Sequence, residues 1–137
     1  IKKLNETSKL PSKTHSFDAG WDVYASEEVF MYPSRRAKLK LGIALEIPDG
    51  WCAVMLPRSG LSVKHGTVIL ANVIDSTYVG EIHCVMLNSG EESFKINIGD
   101  KVAQILFLPV PSVTFEEVIE LKETERGNQG FGSTGNV

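Results

Sequence analysis

Between Ala37 and Ile47 every second residue is aliphatic: Leu39, Leu41, Ile43, Leu45 and Ile47 alternate with Lys38, Lys40, Gly42, Ala44 and Glu46. A period of two places one set of side chains on one face of an extended chain, so Ala37–Ile47 reads as a strand with one buried and one wet face. Short apolar stretches at Trp51–Leu56, Glu81–Asn88, Phe94–Ile98, Val102–Val110 and Val113–Leu121 extend the pattern. The segments Pro48-Asp49-Gly50, Asn88-Ser89-Gly90 and Gly99-Asp100 supply turns. Only Ser59–His65 reads as a helix, with Ser59 as its N-cap and Gly66 closing it in the left-handed conformation. Strands this short, recurring about every ten residues without long amphipathic helices between them, favour an all-β sandwich, jelly roll or barrel over a βαβ fold.

With 137 residues, 42% hydrophobic and 23% charged, the chain has the balance of one globular domain. There is no internal repeat and no interior linker. The one break in composition is Arg126–Gly135, which holds four glycines. The expected organisation is a β domain over 1–125 and a Gly-rich tail over 126–137. A formal charge of −3 argues against a broad attraction to nucleic acid or to an anionic membrane, so a phosphate ligand has to be gripped locally. No apolar run reaches the roughly 18 residues of a membrane span, and no signal-peptide pattern opens the chain. Cys52 and Cys84 lie in apolar stretches without metal-ligand spacing and read as buried, reduced thiols, which suits an intracellular, cytoplasmic setting.

Four segments carry residue types suited to nucleotide chemistry. Pro57–Gly66 combines Arg58, the Ser59 hydroxyl and Gly60 at the start of a helical turn, where free backbone N–H groups favour an anion; a capped surface turn with solvated Arg58 and Lys64 is the alternative. Arg126–Gly135 contains a literal G-x-G-x-x-G, but only Asn136 and Val137 follow, so no helix can open there and the dinucleotide reading fails. What remains is an N–H-rich strip with Arg126, Phe131, Gly132, Ser133 and Thr134, able to fold over a nucleotide or to stay a loose tail. In Ala71–Ile82, Asp75 can orient and deprotonate a water and Tyr78 can lie against a sugar face; a β-turn begun by Asp is the alternative. Asp18 and Asp22 can hold water around a Mg²⁺ whose direct ligands are phosphates, or serve a turn and a strand edge. His15, His65 and His83 form no metal-binding spacing and read as structural or surface groups.

Taken in order, these segments resemble the five motifs of the trimeric dUTPase family. Ala19-Gly20-Trp21-Asp22-Val23-Tyr24-Ala25 is similar to the first motif and Pro57–Gly66 to the second. Val73-Ile74-Asp75 through Tyr78, Gly80 and Glu81 to Asn88 resembles the third, Gly99–Ile105 the fourth and Arg126–Gly135 the fifth. The resemblance implies a jelly-roll-like homotrimer that hydrolyses dUTP to dUMP and pyrophosphate with Mg²⁺, limiting uracil incorporation into DNA and supplying dUMP for dTMP synthesis. The tail of one subunit then caps a site belonging to its neighbours. The implied roles are water activation at the α-phosphorus by Asp75 and selection of deoxyribose by Tyr78. Phosphate contacts fall to Arg58, Ser59 and Gln104, with Gly60 leaving the backbone approachable. Phe131 stacks on uracil; Arg126, Ser133 and Thr134, beside Gly132, grip the terminal phosphate; Asp22 contacts the Mg²⁺ hydration shell.

The resemblance also implies that uracil is read by backbone groups of a hairpin within Gly66–Tyr78, with Asn72 among the substrate-binding residues. Asn72 stands where the family usually has Gly, and Asn is the residue that best replaces glycine at positive φ. Val79 replaces a residue that is often basic. Two other readings compete: a dCTP deaminase of related fold, and a non-catalytic β-sandwich that binds nucleotides or a protein. The complete tail motif and the Asp75/Tyr78 pair favour the hydrolase.

Overall fold

A computed structural model describes residues 1–130 and contains ten strands and one helix. In chain order these are β1 (Lys2–Lys3), β2 (Trp21–Tyr24), β3 (Val29–Met31), β4 (Arg36–Ala44), β5 (Trp51–Leu56), α1 (Ser59–His65), β6 (Thr67–Leu70), β7 (Val73–Ile74), β8 (Glu81–Asn88), β9 (Phe94–Ile96) and β10 (Lys101–Pro109). One sheet has the order β1-β4-β8-β6, a second β2-β10-β5-β7, and β3 with β9 forms a ribbon. Every ladder is antiparallel. Inward side chains of both large sheets, among them Leu39, Ile43 and Met86 from the first and Ala53, Met55 and Ile105 from the second, merge into one apolar core. This is the all-β, jelly-roll type of architecture expected from the short alternating stretches.

The alternation from Leu39 to Ile47 is real, for all five aliphatic residues are buried, but the strand stops at Ala44. Along β4 the register runs from Lys40 to Ala44 while the partner β8 runs only from His83 to Glu81. The surplus is two residues, so the bulge leaves the inside–outside parity unchanged. Gly42 sits in it at φ +65°, its carbonyl taking the Leu4 N–H at 2.8 Å and the Ser8 hydroxyl at 2.5 Å. A Cβ at residue 42 would overlap Ser8, so both the backbone angle and the space require glycine.

The strand expected over Val113–Leu121 does not form: beyond Pro109 the described chain has no strand, and Phe115 and Ile119 are fully exposed. A strand needs a partner for its backbone groups, and among the described residues no strand pairs with that segment. Cys84 is buried as expected, and burial pushes its thiol up to about 12, which keeps it protonated and unreactive. Cys52 is only half-buried, a departure from the expectation.

Asn88, the last residue of β8, is fully buried and ties the end of β3 to the β8–β9 connection. Its Nδ2 donates to the Met31 carbonyl at 3.2 Å and to that of Glu92 at 2.9 Å, while its Oδ1 accepts from the Gly90 N–H at 2.9 Å. Asn88→Leu keeps the shape but strands all three partners. We expect a loss of about 3 kcal/mol or more in urea unfolding, from desolvated groups left unpaired; a loss below about 1 kcal/mol contradicts the assignment.

Candidate active site

The second sheet brings three motif segments together. On β10, Gln104 lies opposite Asp22 of β2 on one side and opposite Leu56 of β5 on the other. The chain leaves β5 at Leu56, passes Pro57 and enters α1 after Arg58, so Arg58 arrives beside Asp22. Its Nε donates to Asp22 Oδ1 at 2.9 Å and its Nη1 to the Lys101 carbonyl at 3.3 Å. Lys101 Nζ reaches Asp22 Oδ2 at 2.7 Å and Thr14 Oγ1 at 3.1 Å. One carboxylate therefore holds two cations, which leaves a local positive excess and unspent guanidinium N–H groups for an anion. Lys101 was not singled out from the sequence: its partner lies nearly eighty residues away, and it is the β2–β10 ladder, with Lys101 opposite Tyr24 and Gln104 opposite Asp22, that brings them near each other.

The Gln104 amide is committed inside this cluster. Its Nε2 donates to the Pro57 carbonyl at 2.9 Å, and its Oε1 packs against Gly20, where a Cβ would collide with it. Gln104 thus fixes the segment that carries Arg58. The expected cap is corrected: Arg58 is the N-cap residue of α1, at φ −93° and ψ 129°, and no side chain caps the helix. Ser59 is the first helical residue and exposed, and Gly60 faces open space. Gly66 does close the helix in the left-handed conformation, φ 63°, with its N–H on the Ser62 carbonyl. Asp18 takes the turn alternative: its Oδ2 accepts the His15 N–H at 2.8 Å and closes a local turn. Beside Arg58 lies a hollow of about 330 Å³ edged by Lys64, His65, Lys95 and Lys101, with His65 stacked on Phe94 at 4.1 Å.

Asp75 and Tyr78 occupy a second place. Asp75 follows β7 directly, and the Tyr78 N–H donates to its carbonyl at 3.1 Å, the turn that Asp favours. Asp75 is exposed, and among the described residues no donor holds its carboxylate. It stands on the ridge between a hollow of about 300 Å³, lined by Ala71, Val73, Tyr78, Glu81 and His83, and one of about 460 Å³ beside Trp51 and Cys52. The Tyr78 ring lies over Gly80, where a Cβ would sit 2.7 Å from the hydroxyl oxygen, and that hydroxyl donates to the Glu81 carbonyl at 2.9 Å. His83 Nδ1 lies 2.9 Å from the same carbonyl. In the β6–β7 connection the left-handed residue is Ala71, φ 53°, and not Asn72. The Asn72 side chain instead donates to the Met55 carbonyl at 2.6 Å.

Within one chain, then, Asp22, Arg58 and Gln104 come together, and so do Ala71, Asp75 and Tyr78, but the two hollows share no lining residue. Arg126 belongs to neither; it is exposed, its Nε on the Gln129 carbonyl at 3.0 Å. Phe131, Gly132, Ser133 and Thr134 lie outside the described residues. Among the described residues no three His, Cys, Asp or Glu side chains converge as metal ligands. The donor set fits a Mg²⁺ held by phosphate and water better than an ion caged by protein ligands, and Asp22 is the carboxylate that would face its water.

Comparison with known proteins agrees with this geometry. The family model described as dUTPase matches residues 6–135. The deoxyuridine 5'-triphosphate nucleotidohydrolase of Clostridium novyi is 42% identical over 98% of this chain and 96% of its own length. The enzyme of the same name from Clostridium kluyveri is 42% identical over 100% of this chain and 97% of its own. Among solved structures, the dUTPase of Staphylococcus bacteriophage 80alpha with dUPNHPP superposes with a TM-score of 0.91 at 28% identity, covering 98% of this chain and 96% of that one. A variant dUTPase from phage phi11 of S. aureus, described with a structural Mg(II) ion, gives a TM-score of 0.81 at 27% identity, over 87% of this chain and 95% of that one.

The twofold grip on Asp22 predicts that Asp22→Asn lowers unfolding free energy by about 1 kcal/mol in low salt and by less in high salt. Urea titrations at two ionic strengths check this; an unchanged midpoint means that the ion pairs hold nothing together.

Proposed function

Because the chain belongs to the dUTPase family and hydrolyses dUTP to dUMP and pyrophosphate, we propose that Asp75 is the base of that reaction and the Arg58 cluster its phosphate grip. The observation that carries this reading is the free, exposed Asp75 carboxylate at the rim of the hollow that holds Tyr78. Water on Asp75 gives up its proton to the carboxylate as its oxygen bonds to the α-phosphorus. The bond from that phosphorus to the bridging oxygen breaks, and pyrophosphate leaves with the electron pair. Tyr78, pinned flat by Gly80 and the Glu81 carbonyl, offers its ring to deoxyribose, and a 2′-hydroxyl would meet this apolar face unpaired.

Arg58, with its remaining N–H groups, and the exposed Ser59 and Gly60 take the phosphates, while Gln104 steadies Arg58 through Pro57. Mg²⁺, when bound, neutralises phosphate charge, and Asp22 hydrogen-bonds its water. The separation of the two hollows supports a site assembled from more than one copy, the homotrimer of the family. Exposed Val113, Phe115, Ile119 and Leu121 supply apolar surface for the neighbour. Residues 126–137 form the closing tail beyond the 1–125 domain, with Arg126, Ser133 and Thr134 on the terminal phosphate and Phe131, next to Gly132, on uracil. No helix among the described residues is long and apolar enough to cross a membrane. The free thiols fit a reducing cytoplasm.

Asp75→Asn is expected to keep dUTP binding while kcat falls by roughly 10²- to 10⁴-fold, the range for a positioned base. Equilibrium binding and steady-state turnover together check it, and near-normal turnover removes Asp75 from the role.

A further inference from the structure

The connection between β6 and β7, which lie in different sheets, is held in an unusual way. Strand β7 pairs with β5 at only two positions, Ile74 with Ala53 and Val73 with Val54. The next rung joins Asn72 to Met55. One of its bonds is ordinary, the Met55 N–H donating to the Asn72 carbonyl at 2.8 Å. The return bond comes from the side chain, Asn72 Nδ2 donating to the Met55 carbonyl at 2.6 Å. The preceding residue, Ala71, lies at φ 53°, a left-handed conformation that a Cβ disfavours. Ala71 and Val73, which flank Asn72, both line the hollow of Tyr78, whereas Asn72 does not.

We propose that Asn72 is a positioning residue: its amide stands in for a missing backbone donor, completes a third rung between β7 and β5, and so holds a strained Ala71 as a fixed wall of the substrate hollow. The inference rests on the reading that this hollow receives the deoxyuridine end of dUTP. Glycine at residue 72 would allow any backbone bend but offers no side-chain donor, so the Met55 carbonyl, on a fully buried residue, loses its partner. The wall then loosens. Asp75 moves little, because the Tyr78 N–H holds its turn independently. Loosening the wall therefore weakens nucleotide binding and spares the chemical step.

The experiment is steady-state kinetics with dUTP on the full chain, at a temperature where circular dichroism shows each variant folded. Asn72→Gly is expected to raise KM by about tenfold, the worth of one hydrogen bond, with kcat within about threefold of wild type. Asn72→Asp, which keeps the shape but lacks the donor, should raise KM at least as much. Exchange of the side-chain amide protons in the unaltered chain tests the proposal even when the residue 72 variants fail to fold: the Asn72 Nδ2 protons, held on the Met55 carbonyl, should exchange more slowly than those of a free side-chain amide. An unchanged KM in Asn72→Gly, or Asn72 side-chain protons that exchange as fast as those of a free amide, overturns the proposal. Asp75→Asn run alongside separates the two readings. If it is inactive while Asn72→Gly behaves as wild type, only the role of Asn72 falls; if both turn over normally, the hollow is not the substrate site.

Discussion

Strand β5 is the element on which the rest of this protein depends, because it is hydrogen-bonded on both sides and feeds both halves of the chemistry. On one side it pairs with β10 along six positions, from Gln104–Leu56 to Pro109–Trp51. That register puts the exit at Leu56 beside Asp22 and Lys101 and delivers Arg58 to them. On the other side it pairs with β7 at Ala53 and Val54, and Asp75 begins where β7 ends. Met55, fully buried between these edges, anchors the sheet to the core and receives the Asn72 amide. A shift of β5 by one residue would turn Ala53 and Met55 outward and separate Arg58 from Asp22, so the packing of the core and the geometry of the site enforce one register.

The two halves differ in how they are prepared. Around Asp22 the charges are already paired, which lowers the cost of gathering two cations before any phosphate arrives and keeps the Arg58 side chain ordered. Around Asp75 the preparation is steric: Tyr78 is flattened over Gly80, the turn is closed by one backbone bond, and the carboxylate itself is left free for water. A base has to be available and a phosphate grip has to be rigid, and the fold treats them accordingly.

Much of this was legible in the sequence because it depends on local chemistry. The strands Trp51–Leu56 and Glu81–Asn88 and the helix Ser59–His65 coincide with their periodic or capped stretches, and the left-handed Gly66 follows from the same reasoning. Pairings at a distance were not legible. Nothing local to Lys101 announces its partner Asp22, and nothing local to Asn72 announces Met55; both contacts follow from strand register. Turn chemistry also misplaced the left-handed residue, since Asn tolerates that angle better than Ala, yet the side chain of Asn72 is required elsewhere and Ala71 takes the bend. The stretch Val113–Leu121 has strand-like composition without a strand partner among the described residues, which periodicity alone cannot reveal.

The central claim is that Asp75 and Arg58 serve one active site although a single chain keeps them in separate hollows. Complementation tests it directly: Asp75→Asn and Arg58→Ala chains, each purified as an inactive oligomer, are coexpressed and assayed for pyrophosphate release from dUTP. If each site draws Asp75 from one copy and Arg58 from another, random mixing restores about a quarter of wild-type turnover, since half the copies carry each intact group. Mixed oligomers no more active than the separate variants would contradict the account.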